Sequence, residues 1–233
     1  MKILGIDTSS RFNTIGLISG NQILADFTWE SRDSLQKIIL NIDLVLRNGG
    51  LTLADVDRLA VGLGPGSWTG VRVGVTVGKI LAYAMNKPIC GVSSLDALAY
   101  QARNMPILLC PLIDAGKENV YAAFYRPQGE TIVKESDYYV GDIKGLLKTI
   151  KEPVLFLGKA AYLYRQIIVE ELGPLANYRG EVGDVQKGYV IALLALPRFE
   201  RGESDDALSL APLYLKESLA QALLAGEKRI QTK

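Results

Sequence analysis

Apolar residues along the chain fall into two similar series. The first runs through residues 3–6, then 14–18, and a polar turn at Ser19-Gly20-Asn21 leads into residues 22–29. The second runs through residues 108–113, then 120–125, and Pro127-Gln128-Gly129 leads into residues 131–134. Each series reads strand, acidic turn, strand, turn, strand. Ile6-Asp7 closes the first run, and Ile113-Asp114 stands at the matching place in the second. The pattern predicts a weak internal duplication, with chance likeness between two antiparallel meanders as the alternative.

Helical spacing follows each meander. Leu35, Ile38, Ile39, Ile42, Val45 and Leu46 make one apolar face, opened by a capping pair, Asp33 with Gln36, and stopped by Asn48-Gly49-Gly50. Thr52-x-x-Asp55 opens a short helix before a strand over 59–63. In the second series the spacing predicts a helix over 143–150, a strand over 154–157, and helices over 162–172 and 185–199. Pro197 should end or kink the last. The chain from Glu217 onward turns polar and is expected to fray.

The segment 63–74, Leu-Gly-Pro-Gly-Ser-Trp-Thr-Gly-Val-Arg-Val-Gly, is the most unusual. Val71, Val73, Val75 and Val77 alternate as in a buried strand. Gly70, Gly74 and Gly78 recur every fourth residue, and Ile80, Leu81, Ala84 and Met85 continue at helical spacing. Glycine weakens a strand without reason here, whereas on a helix the interval lines one side and admits a close neighbour. With Ser67 or Thr69 as a cap, the reading is a helix over 70–85. A strand over 88–92 and a helix opened by Ser93-x-x-Asp96 come next.

Composition narrows the chemistry. The 233 residues are 48% hydrophobic and 22% charged, with net charge +1, which suits a globular protein and disfavours a uniformly basic nucleic-acid binder. Cys90 and Cys110 sit in apolar runs and read as core thiols. The first residues lead directly into a strand-like run without a signal-peptide pattern, and no apolar stretch approaches a membrane span, so a cytoplasmic protein is expected. The chain has no histidine. That removes Ser-His-Asp and Cys-His catalysis and every imidazole metal site. Carboxylates, lysines, backbone amides or carboxylate-held Mg²⁺ remain. Asp7, Thr8 and Ser9 stand where one strand turns into the next, with Asp114 as counterpart. Two such hairpins facing across a cleft would suit ATP. The plainer reading is that Asp7 caps its own turn.

The opening Met1-Lys2-Ile3-Leu4-Gly5-Ile6-Asp7-Thr8-Ser9, the glycine block 62–74, and Gly91-Val92-Ser93-Ser94-Leu95-Asp96-Ala97-Leu98 together resemble the TsaB (YeaZ) family. The likeness runs from Met1 to about Tyr125 and returns at Pro212-Leu213-Tyr214-Leu215-Lys216. It implies an α/β fold of the ASKHA (actin and Hsp70-like) type, with two duplicated lobes, each a mixed sheet flanked by helices. The expected lobes are residues 1–104 and 105–216, with the last helix free to return to the first lobe and 217–233 as a mobile tail. It also implies a non-catalytic partner of a TsaD-like transferase, with a TsaE-like ATPase, in threonylcarbamoylation of the adenosine beside certain tRNA anticodons. Contact with tRNA would run through that complex, and the chain alone would form a homodimer.

The TsaD relatives carry two metal-binding histidines where this chain has Ser94 and Leu98, which cannot ligate a transition metal. Ser34 replaces a histidine common at the first helix. Gly116 and the single glycine at 158 depart from the pattern of a nucleotide site. The resemblance therefore implies no catalytic residue and no bound metal. It leaves at most a vestigial nucleotide site at Asp7, Thr8, Ser9 and Asp114, with ATP and Mg²⁺ held weakly or only in the full complex. It implies a partner surface on the helices 35–46 and 70–85, with Leu35, Ile38, Ile42, Val71, Gly74, Val75 and Gly78 as its contacts. An ATP-dependent small-molecule kinase on the same fold is the second reading. A glycoprotease is the third, with no base beside a candidate serine to support it.

Overall fold

The computed structural model describes residues 1–30, 34–178 and 187–215, and the side chains of Ser34 and Leu35 lie outside it. The Asp33 cap and the tail from Glu217 fall among the residues not described. β1 (Lys2–Asp7), β2 (Phe12–Ser19) and β3 (Gln22–Glu30) form an antiparallel meander. β4 (Arg58–Gly62) and β5 (Ile89–Val92) join in parallel, giving the order β3-β2-β1-β4-β5. In the second half β6 is Leu108–Gly116 and β7 is Asn119–Ala122. A side hairpin of β8 (Tyr125–Gln128) and β9 (Thr131–Lys134) follows, then β10 (Tyr139–Asp142), β11 (Val154–Leu157) and β12 (Ala176–Tyr178). Its main path is β10-β7-β6-β11-β12. The two orders correspond strand for strand, with antiparallel and parallel partners in the same places, so the duplication is real.

One assignment needs correcting. The third strand of the second meander is β10, and residues 131–134 pair instead with β8. The run 120–125 breaks at Ala123-Phe124, which sends β7 and β8 to different stretches of β6.

Helix α1 (Ser34–Asn48) and α2 (Trp68–Met85) cover one face of the first sheet. Thus 71–77 is helical, and the glycine period outweighs the valine alternation. Ser67 caps it by accepting from the Gly70 amide at 3.3 Å. Thr52 and Asp55 pair as the sequence suggested, the Thr52 amide donating to Asp55 Oδ2 at 2.8 Å. Helix α3 (Ser94–Tyr100) is capped by Ser93. Asp96 does not complete its capping box. It accepts from Tyr125 Oη at 2.6 Å and Tyr138 Oη at 3.1 Å, tying α3 to the second half.

In the second half α4 (Ile143–Leu147), α5 (Lys159–Leu163) and α6 (Arg165–Leu172) share one core with the sheet. The helix expected over 162–172 is broken at Tyr164, whose φ −103°, ψ 16° lie off the helical region. Helix α7 (Gly188–Glu200) runs past Pro197 and ends three residues later.

The halves exchange their last helices. Leu95 and Ala99 of α3 pack with Leu109, Tyr125 and Leu155 of the second half. Val190, Ile191, Ala195 and Phe199 of α7 pack with Ile3, Ile18 and Ala60 of the first sheet. Gly16 makes this seat possible, since a Cβ there would strike the Tyr189 amide. The start of α7 is capped across the fold: the Gly188 amide donates to Thr14 Oγ1 at 2.7 Å and the Tyr189 amide to Asp26 Oδ1 at 3.4 Å.

Candidate functional site

The turn after β1, the Gly-Pro-Gly loop and the start of α3 are stapled together. The Ser67 amide donates to Ser9 O at 2.6 Å, and the Ser94 amide donates to Gly64 O at 2.8 Å. Thr8 Oγ1 donates to Gly70 O at 2.6 Å. Glycine is required at this junction because there is no room for a side chain. A Cβ on Gly66 would meet Ser9 O, one on Gly70 would meet Thr8 O, and one on Gly74 would meet Thr8 Oγ1. The stripe at 70, 74 and 78 therefore faces the protein's own first sheet, Gly78 resting on Val61. The sequence located a close approach correctly but not its partner.

Asp7 is 1% exposed. Its Oδ1 accepts from the Ser9 amide at 2.7 Å and its Oδ2 from Ser94 Oγ at 3.4 Å. Ser9 Oγ and Ser94 Oγ lie 2.9 Å apart. Gly62 presses on the carboxyl from below, where a Cβ would strike it. Burial pushes the carboxyl above its ordinary range, and the bonds from Ser9 and Ser94 pull it only part of the way back.

Beside this junction a cleft of about 490 Å³ separates the halves. Ser9, Ser10, Gly66 and Ser67 line it from one side, Asp114, Gly158 and Lys159 from the other, and Leu98 and Leu112 give it an apolar lining. Asp7 and Thr8 are not among its lining residues. Asp114 is exposed, its Oδ1 accepting from the Gly116 amide at 3.0 Å and Tyr164 Oη at 2.7 Å. Burial, with the Asp114 bond second, raises the Tyr164 phenol to about 12. Of the four residues expected at a nucleotide site, then, Ser9 and Asp114 reach the cleft and Asp7 and Thr8 are folded away from it. Of the two acids expected to face each other, only Asp114 is among the residues that line the cleft. Among the described residues no group of three or more Cys, Asp or Glu is placed to hold a metal ion.

The expected partner contacts need a correction too. Ile38, Ile42, Val71 and Val75 are buried in the protein's own core, and Gly74 and Gly78 abut Thr8 and Val61. Leu35 is outside the described side chains. The outward faces of the same helices carry other apolar residues: Ile39, Leu40 and Leu44 on α1, and Ile80 and Tyr83 on α2, with Leu40 and Tyr83 each 70% exposed. A helical wheel held the signal. Ile39, Leu40 and Leu44 exceed what one core-facing stripe can absorb. At the start of α2, Arg72 lies 4.0 Å over the Trp68 ring and donates from Nε to Tyr214 Oη at 3.1 Å, pinning Pro212-Leu213-Tyr214 to this end. Among the described residues no helix is long and apolar enough to cross a membrane.

The family model for TsaD, tRNA N6-adenosine threonylcarbamoyltransferase, matches residues 28–221. The tRNA threonylcarbamoyladenosine biosynthesis protein TsaB of Bacillus subtilis is 33% identical over 227 residues, covering 95% of this chain and 97% of its own. YeaZ from Pseudomonas aeruginosa superposes with a TM-score of 0.77 at 24% identity, over 91% of this chain and 100% of that one. A ROK hexokinase from Thermus thermophilus shares the fold alone, with a TM-score of 0.51 at 13% identity over 87% of this chain and 100% of that one. That likeness fits the duplicated ASKHA architecture. The full-length match places the chain in the TsaB family, within the wider group that the TsaD model describes.

Proposed function

We propose that this chain is the non-catalytic scaffold or activating subunit of a tRNA threonylcarbamoylation machinery, working with a TsaD-like transferase and a TsaE-like ATPase in the cytoplasm. The observation that carries the reading is the sealed Asp7. The acid that would meet Mg²⁺ in an ATP-handling relative is buried under Gly62 and bonded to Ser94. Ser94 also occupies a position where the transferase pattern has a metal-binding histidine. Asp7, Thr8, Ser9 and Asp114 are then the remains of a nucleotide site, and the isolated chain holds ATP weakly or not at all. The same geometry speaks against the kinase reading, which needs both acids in the cleft.

The partner surface in this proposal is the outward side of α1 and α2. Ile39, Leu40, Leu44, Ile80 and Tyr83 give two adjacent helices an apolar exterior, and fully burying one such side chain contributes about 1.5–3 kcal/mol. The transferase would cover this face in the complex, and a second copy would cover it in the isolated chain. Ile38, Ile42, Val71 and Val75, buried on the same two helices, support it from beneath.

Reconstitution tests the proposal. A TsaD-like protein, a TsaE-like protein, ATP, an activated threonylcarbamoyl donor and an unmodified tRNA should give modified tRNA only when this chain is added. The chain alone should turn over no ATP. Modification without it, or ATP turnover by it, would overturn the reading. Leu40→Glu with Tyr83→Glu should remain folded yet lose co-purification with the transferase. Undiminished co-purification would move the partner surface elsewhere.

A further inference from the structure

The duplication gives α1 a counterpart. Both α1 and α4 follow the third strand of a meander, precede a parallel strand and cover their own sheet. Their inward faces are alike: Ile143, Leu146, Leu147 and Ile150 are buried as Ile38, Ile42, Val45 and Leu46 are. Their outward faces differ. Where α1 exposes Ile39, Leu40 and Leu44, α4 and the turn after it expose Lys144, Lys148 and Lys151. The three lysines fall at spacings of four and three, opposite the buried set. Lys144 and Lys148, one helical turn apart, are neighbours about 5–6 Å apart at Cβ, and Lys151 follows in the chain just beyond the helix.

Two nearby acids are engaged elsewhere. Asp142 Oδ1 accepts from the Gly145 amide as the cap of α4, and Glu152 pairs with Arg126 at 2.9 Å. Among the described residues none of the three lysines makes an ion pair. No exposed large apolar residue accompanies them on this face, as a membrane-inserting helix would require. Three ammonium groups without an ion pair, clustered on one capped helix and the chain just after it, suit a run of phosphates.

We propose that Lys144, Lys148 and Lys151 form a phosphate-backbone contact for the tRNA substrate, so that the second half of this chain touches RNA directly while α1 of the first half serves a protein partner. The inference rests on the tRNA-modification reading above. Such a contact is electrostatic and independent of sequence. It orients the RNA and leaves the base to be modified to the partner's active site.

The test is binding of an unmodified tRNA transcript to the full chain, alone and with its co-purifying transferase, across about 50 to 200 mM salt. The triple variant Lys144→Gln, Lys148→Gln, Lys151→Gln should keep its melting temperature, because all three side chains are exposed. Its binding should weaken at low salt. The slope of log affinity against log salt should fall by about two to three, at roughly 0.7–0.9 for each phosphate released. A control triple, Lys87→Gln, Lys117→Gln, Lys134→Gln, should keep the wild-type slope. An unchanged slope in the first variant, an equal loss in the control, or no tRNA retained by the wild type would each overturn the contact. Reconstituted modification that still depends on this chain, beside an unchanged slope, would leave the function standing and remove only this inference.

Discussion

The two acidic turns began as equivalent and now differ in almost every respect. Asp7 is sealed, bonded on both oxygens, and pressed by glycine on one side and serine on the other. Asp114 stands open on the cleft with one phenol and one amide for company. The same topological position thus became a structural fastener in the first half and remained a surface carboxylate in the second. What separates them is the neighbour. The first turn meets the glycine block at close range. The second meets Gly158, where a Cβ would strike Leu112 O, and Tyr164, neither of which covers the acid. A duplicated scaffold can therefore keep its outline while losing one half of a two-sided site.

This contrast can be broken most forcefully at the glycine block. Gly70→Val should destabilise the protein by about 3 kcal/mol or more, because its Cβ meets backbone that cannot retreat. Gly116→Ala, in the opposite turn, has open space and should cost only the roughly 1 kcal/mol of a left-handed residue at φ 77°. Urea unfolding of both variants reads the difference, and equal losses would show that the two turns are held alike.

Asp7→Asn is the next test and carries a sign. The folded carboxyl binds its proton more tightly than the unfolded one, so Asp7 favours folding most below its ordinary value of 3.8. That contribution is lost as pH rises through the raised folded value. An amide does not titrate. The variant should therefore gain on the wild type between acid and neutral pH and match or exceed its stability at pH 7. A variant that loses ground as pH rises would mean that the carboxylate is needed ionised, as a cation ligand is. The smallest effect is expected at Tyr164→Phe, which removes one hydrogen bond to an exposed acceptor and should cost about 0.5–1.5 kcal/mol in thermal unfolding.

Much of the fold was legible because it is written in periods. The first meander, the helical nature of 71–77 and the duplication all follow from spacing. Spacing is silent on neighbours, however. The stripe of Gly70, Gly74 and Gly78 announced a close approach, but only the folded chain reveals that Thr8 and Val61 fill it. For the same reason Ile38 and Val75 were assigned outward when the core claims them, while Leu40 and Tyr83 were passed over. β12 is three residues long and has no period to read. The breaks at Ala123-Phe124 and Tyr164 arise from pairing and packing elsewhere. At the site, the absence of histidine excludes an imidazole-held metal from the sequence alone. That Ser94 fastens Asp7 is a matter of three-dimensional distance.

The exchange of last helices has a consequence for how the chain comes to be. The first sheet has one face covered by α1 and α2 as soon as they are made, but the other face waits for α7. During synthesis, Ile3, Ile18 and Ala60 stay open until the chain has grown past Glu200. The first half thus spends most of its birth as an unfinished layer in search of its lid. A chain ending before Lys187 is expected to bind a hydrophobic dye that the full chain ignores, and equal dye binding by the two would show that the first half closes without its borrowed helix.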